Sequence, residues 1–88
     1  MPHDRDKIRE IRAGEWWSVQ WGAARRRGYV VSFITAHVLE IAFNETETVE
    51  VERRRLIAKV TPDKLEHHKG REATEAAHAD RVRPVLIA

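Results

Sequence analysis

Cysteine is absent from all 88 residues. That removes disulfide staples, thiolate metal sites and cysteine nucleophiles together, and it fits a reducing cytoplasm. No apolar run approaches the roughly 20 residues that span a bilayer, and the segment from His3 to Arg12 is charged, unlike a secretory signal. A cytoplasmic chain without membrane association is therefore expected. Aromatic residues are missing after Phe43: Trp16, Trp17, Trp21, Tyr29, Phe33 and Phe43 are all of them, so the core should come mainly from the first half. An excess of one charge is lacking too. Sixteen Lys and Arg face fourteen Asp and Glu, a net charge of +2, so the field of the whole chain is weak and local clustering matters more. There is no internal repeat, low-complexity tract or heptad pattern. Nor is there a Gly-rich phosphate loop, a nucleophile elbow or a pair of carboxylates in an aromatic cleft, so the chain does not read as an enzyme and implies no cofactor.

What is present is a β-meander. Trp17, Val19 and Trp21 alternate with Ser18 and Gln20, and Gly22 and Gly28 bracket a turn carrying Arg25, Arg26 and Arg27. β-Branched residues resume at Val30 and Val31, Asn44 to Glu47 supply a second polar turn, and Val49 and Val51 alternate with Glu50 and Glu52. Strands are expected over 15–22, 29–35, 38–44, 48–54 and 56–60, closed by Pro62, which has no amide donor. A short amphipathic helix is expected over 4–13, carrying Ile8 and Ile11 on one side and stopped by Gly14. Thr61, Pro62 and Asp63 start a polar helix running toward His78. Its apolar face, Leu65, Ala73, Ala76 and Ala77, is thin, and Gly70 lies in its middle. The pattern describes one mainly β domain over 1–88: helix plus five-stranded small barrel in 5–62, then a helical extension and the apolar tail Val85, Leu86, Ile87 and Ala88. Such a tail packs on its own sheet or on a neighbour.

That order, with GYVVSF at 28–33, HVLEIAFN at 37–44 and VEVERRRLIAKVTP at 49–62, resembles the Sm-like barrel, particularly the Hfq type of bacterial RNA chaperone. The match covers residues 5–62, with Gly28, Phe33, Val38 and Asn44 at roughly the family's places. The resemblance implies an oligomeric ring, and it carries the family's Tyr-Lys-His RNA segment onto Arg53, Arg54 and Arg55 when Pro62 is aligned with the closing proline. Ile34 and Thr35 stand where Sm proteins place an aspartate, and no glycine follows the arginine of the second Sm motif. SH3, Tudor and KOW barrels share the strand pattern.

The chemistry lies in the two arginine triplets. A guanidinium grips a phosphate through two parallel hydrogen bonds, so Arg25, Arg26 and Arg27 with Arg53, Arg54 and Arg55 are candidate contacts to nucleic acid; each triplet alone also reads as a solvated turn. Single-strand binding needs flat faces for bases as well. Alternation sends Trp17 and Trp21 to one face, expected to be core, and Trp16 to the other, where it is the aromatic expected to be exposed for stacking. His67, His68 and His78 with Glu66, Glu72 and Glu75 lack the one-turn spacing of a helical metal site, and His37 reads as a structural histidine near a bend. The expected function is noncatalytic binding of RNA or single-stranded nucleic acid by an arginine-rich rim, in a homo-oligomer. The alternative is a protein-interaction module, a small regulator or inhibitor, in which Trp16, the polar helix and the tail dock on a partner and the arginines meet an acidic protein.

Overall fold

Alternating side chains give the first strand, β1 (Trp16–Trp21), with Trp17 and Val19 on one face and Trp16 and Ser18 on the other. Gly22 turns the chain with φ +62°, and Ala23 does not share its positive φ; this is the arrangement of a II′ turn, whose twist suits the flanking strands. The turn therefore closes in two residues, with Trp21 opposite Ala24. As a consequence β2 (Ala24–Phe33) already contains Arg25, Arg26 and Arg27. The first triplet is strand and not turn, which corrects the boundary expected from the two glycines. Gly28 sits in mid-strand because it leaves room for the Ile41 side chain, not because a turn needs it.

The chain continues through β3 (Val38–Ala42), β4 (Thr48–Glu52), a 3-10 turn (Arg53–Arg55) and β5 (Leu56–Lys59). These form one antiparallel sheet in the order β4-β3-β2-β1-β5. Two helices follow, α1 (Pro62–Leu65) and α2 (Arg71–Ala77). The computed structural model describes residues 10–82. The segments 1–9 and 83–88 lie outside the described residues, and with them most of the helix expected over 4–13 and the tail. Glu10, Ile11 and Arg12, its described part, are not helical, and Ala13 and Gly14 form a turn.

Both faces of the sheet are buried, and this organises everything else. On one face Trp17, Val19, Val30, Ile41, Val51 and Leu56 belong to a single cluster. Val51 and Leu56 come from the strands at opposite edges, so the sheet curls over this face. On the other face Trp16, Tyr29, Val31 and Ala42 pack with Val60 and Leu65. Val30 and Val31 serve opposite faces by strand alternation and both are fully buried, and the β2–β3 register shifts between Val30 and Ser32.

The polar helix expected after Pro62 is broken in two at Gly70, whose φ is +84°. Thr61 and Pro62 do start the first piece, as N-cap and first-turn proline. The break turns α2 so that Thr74 and His78, not the alanines, face inward, while Ala73, Ala76 and Ala77 are exposed. Both inward polar groups are satisfied. The Thr74 hydroxyl donates to the Gly70 carbonyl at 2.8 Å, and His78 Nε2 lies 3.3 Å from the Asn44 carbonyl. Leu65 supplies the apolar anchor, contributing about 1.5–3 kcal/mol if fully buried.

Candidate nucleic-acid interface

The sheet register brings the two arginine triplets together. Val19 in β1 pairs with Arg26 on one side and with Leu56 on the other. Arg55 directly precedes Leu56, so a single strand separates the triplets, about 10 Å between their backbones at two strand spacings. The other end of the 3-10 turn is tied down where the Arg53 amide donates to the His37 carbonyl at 2.7 Å. His37 itself is exposed, and its structural role is carried by its backbone.

Alternation splits the first triplet between the two faces. Arg26 points to the inner side, where its guanidinium lies 4.0 Å from the centre of the Phe43 ring and donates to both Glu47 carboxylate oxygens at 3.2 Å. Arg27 points to the outer side, toward the Lys64 carbonyl at 3.3 Å and His68 Nδ1 at 3.5 Å. Arg25 is exposed. In the second triplet, Arg54 and Arg55 share Glu52, at 3.1 and 3.6 Å. Exposed pairs of this kind contribute about 0–1 kcal/mol, so another anion exchanges with them readily.

The aromatic residues exchange the roles expected of them. Trp16 is 2% exposed and Trp21 is 37% exposed. Alternation places both on the anticipated faces, but α1 and α2 cover the face that carries Trp16. Trp21 is the last residue of β1 and projects past the inner core, touching Phe43 edge-on with ring centres 5.4 Å apart. The available stacking face is therefore that of Trp21, beside Arg26. Its place immediately before the Gly22 turn was the one sequence signal for this.

Trp16 instead sits at the centre of a polar network under the helices. Its indole donates to Glu75 at 2.8 Å, and Arg71 donates to the same carboxylate oxygen at 2.9 Å. Tyr29 and His68 flank the indole, with ring centres 5.3 and 5.0 Å away. Burial pushes the Glu75 carboxyl up, but the hydrogen bonds from Arg71 and Trp16 outweigh it and hold it below the usual carboxylate range. Burial, and then the Glu75 charge, push the Tyr29 phenol up. An open cleft of about 620 Å³ lies alongside, lined by Leu65, His68, Arg71 and Glu75 among others. Among the described residues, no three His, Asp or Glu side chains converge as metal ligands, and no helix is long and apolar enough to cross a membrane.

His68 yields a pH dependence. Burial, then the Arg27 and Arg71 charges, hold its pKa below the ordinary histidine value. The folded chain thus favours the neutral ring, and the unfolded chain takes up the proton first. The contribution of His68 to stability is complete above about pH 6.5 and declines as pH falls, levelling off once the lowered folded-state value is passed. His68→Gln is expected to make the fall in stability below about pH 6.5 shallower, which denaturant melts at a series of pH values check.

Comparison with protein-family models, with curated proteins and with solved structures returns no match to this chain.

Proposed function

We propose that the chain is a noncatalytic binding protein for RNA or single-stranded DNA, which holds phosphates with its two arginine triplets and stacks a base on Trp21. The observation that carries the reading is the register at Val19, which sets Arg26 and Leu56 on either side of one strand. Arginines on strands this near to one another suit a flexible phosphate backbone, and the exposed indole of Trp21 offers a sequence-tolerant platform. The meander order with a closing fifth strand beside β1, and the curl of the sheet over one face, support a small SH3-like or Sm-like barrel. β4 and β5 lie at the sheet edges, and pairing of these edges between copies is the proposed route to a homo-oligomer.

A salt series of binding to RNA, single-stranded DNA and a polyanion control tests the proposal. Replacing Arg53, Arg54 and Arg55 together with glutamine is expected to weaken binding similarly across sequences. It should also flatten the slope of log affinity against log salt by up to about 2, since each lost phosphate contact removes about 0.7 on a single strand. Trp21→Ala should cost about 1–3 kcal/mol of binding and leave that slope nearly unchanged. A second reading, a protein-interaction module, is favoured by Phe33 and Ile34, exposed at 41% and 47% where β2 ends. Wild-type protein that binds neither nucleic acid at low salt, yet binds an acidic protein in proportion to its charge, would decide for that reading.

A further inference from the structure

The contact between Arg26 and Glu47 has the geometry of ligand recognition within the chain. Two guanidinium nitrogens meet two carboxylate oxygens, each at 3.2 Å, which is the forked arrangement that arginine also offers a phosphate. The fork is built on both sides. Behind it lies the Phe43 ring, 4.0 Å from the guanidinium carbon, and Trp21 packs against that ring edge-on. The carboxylate is held by its own turn. The Asn44 side chain donates to Glu47 Oε1 at 3.1 Å and accepts the Thr46 and Glu47 amides at 2.9 and 2.8 Å. The pair remains partly open to solvent, with side-chain exposures of 36% for Arg26 and 42% for Glu47.

We infer that the Arg26 guanidinium is a phosphate seat occupied by Glu47, and that a nucleotide phosphate displaces the carboxylate when its base stacks on Trp21. This rests on the nucleic-acid reading and adds a regulatory contact to it: Glu47 competes with the ligand for an arginine that is preorganised on an aromatic ring. The competitor is charged throughout the neutral range, because the hydrogen bond from Arg26 lowers the carboxyl pKa. Its effect is therefore constant near neutrality and answers to phosphate and salt rather than to pH. Displacement exchanges one exposed anion for another, so Glu47 sets a threshold for binding without abolishing it.

Binding of a fluorescent single-stranded oligonucleotide to the full chain tests the inference. Glu47→Gln keeps an oxygen for Asn44 and removes the competing charge; it is expected to tighten binding about three- to fivefold. Glu45→Gln, in the same turn, controls for the loss of a negative charge and should change affinity less than twofold on the order of an exposed charge at a distance. The double variant Arg26→Gln, Glu47→Gln should lose the gain. Arg26→Lys probes the seat with Glu47 intact: it keeps the charge without the fork and should weaken binding more than Arg25→Lys does. Wild-type binding that Glu47→Gln leaves at the level of Glu45→Gln would overturn the competition while leaving the nucleic-acid reading in place. A gain that survives the loss of Arg26 would also overturn it, since the charge would then act on the general field. No binding by either wild type or Glu47→Gln at low salt would remove both readings.

Discussion

Trp16→Ala is expected to destabilise the folded chain by about 3–5 kcal/mol, the range for truncating a buried aromatic side chain. Trp16 is 2% exposed, and it joins the sheet to the helices: Tyr29 and His68 pack against it, and its indole donates to Glu75. Truncation leaves a cavity beneath α1 and α2 and leaves Glu75 without one of its two donors. A domain of this kind is stable by about 5–15 kcal/mol in total, so this one change removes a large share. Trp16→Phe should retain most of the packing and lose the hydrogen bond to Glu75, at about 1.5–3 kcal/mol for a bond to a charged group. Denaturant melts measure both. A cost below about 1 kcal/mol for Trp16→Ala would mean that the helices do not seal this face. Any loss of nucleic-acid binding in this variant should follow the unfolded fraction, whereas Trp21→Ala should weaken binding with the fold intact.

The second large effect is expected at Gly28. An added Cβ would lie 2.2 Å from Ile41 Cγ2, with Val19 and Phe43 at 3.3 and 3.4 Å. Ile41 is fully buried, and its Cγ2 is attached directly to Cβ, so it cannot swing aside as the end of a long side chain would. Gly28→Ala should cost about 1–3 kcal/mol as overpacking, and Gly28→Val about 3 kcal/mol or more. The strain is specific to one neighbour, which makes it testable by a double-mutant cycle. Ile41→Ala alone should cost about 2–5 kcal/mol and clearly less when Gly28 is already alanine. Strict additivity would show that the added methyl finds room elsewhere.

Strand periodicity was legible because a strand's side chains alternate locally, whatever packs on them. Trp17 and Val19 fall on one face and Trp16 on the other, as their spacing requires. The Asn44 turn was equally local, since its side chain accepts amides two and three residues ahead. The length of the first hairpin turn was less so. Gly22 and Gly28 both looked like punctuation, yet only Gly22 has a positive φ. Gly28 is glycine for a reason of space that involves Ile41, a residue on another strand. The arginines were evident as candidate anion contacts, but the partner of Arg26 was not: Glu47, 21 residues away, is an ordinary acidic residue until folding places it.

The sequence alone determined that this chain makes a mainly β meander of five strands with basic residues in two triplets, because those properties depend on near neighbours. Only the tertiary structure decided which face of that sheet is closed and by what. Residues 61–82 fold back over the outer face through Leu65, Thr74 and His78, burying Trp16, while Trp21 runs past the end of the inner core and stays open. Burial depends on what arrives from elsewhere in the chain, and a thin, polar helical segment carries little periodic sign of where it will dock. The same limit applies to the triplets. Their composition was visible, but their convergence across β1 needs the long-range pairing of β1 with β5 in addition to the local β1–β2 hairpin.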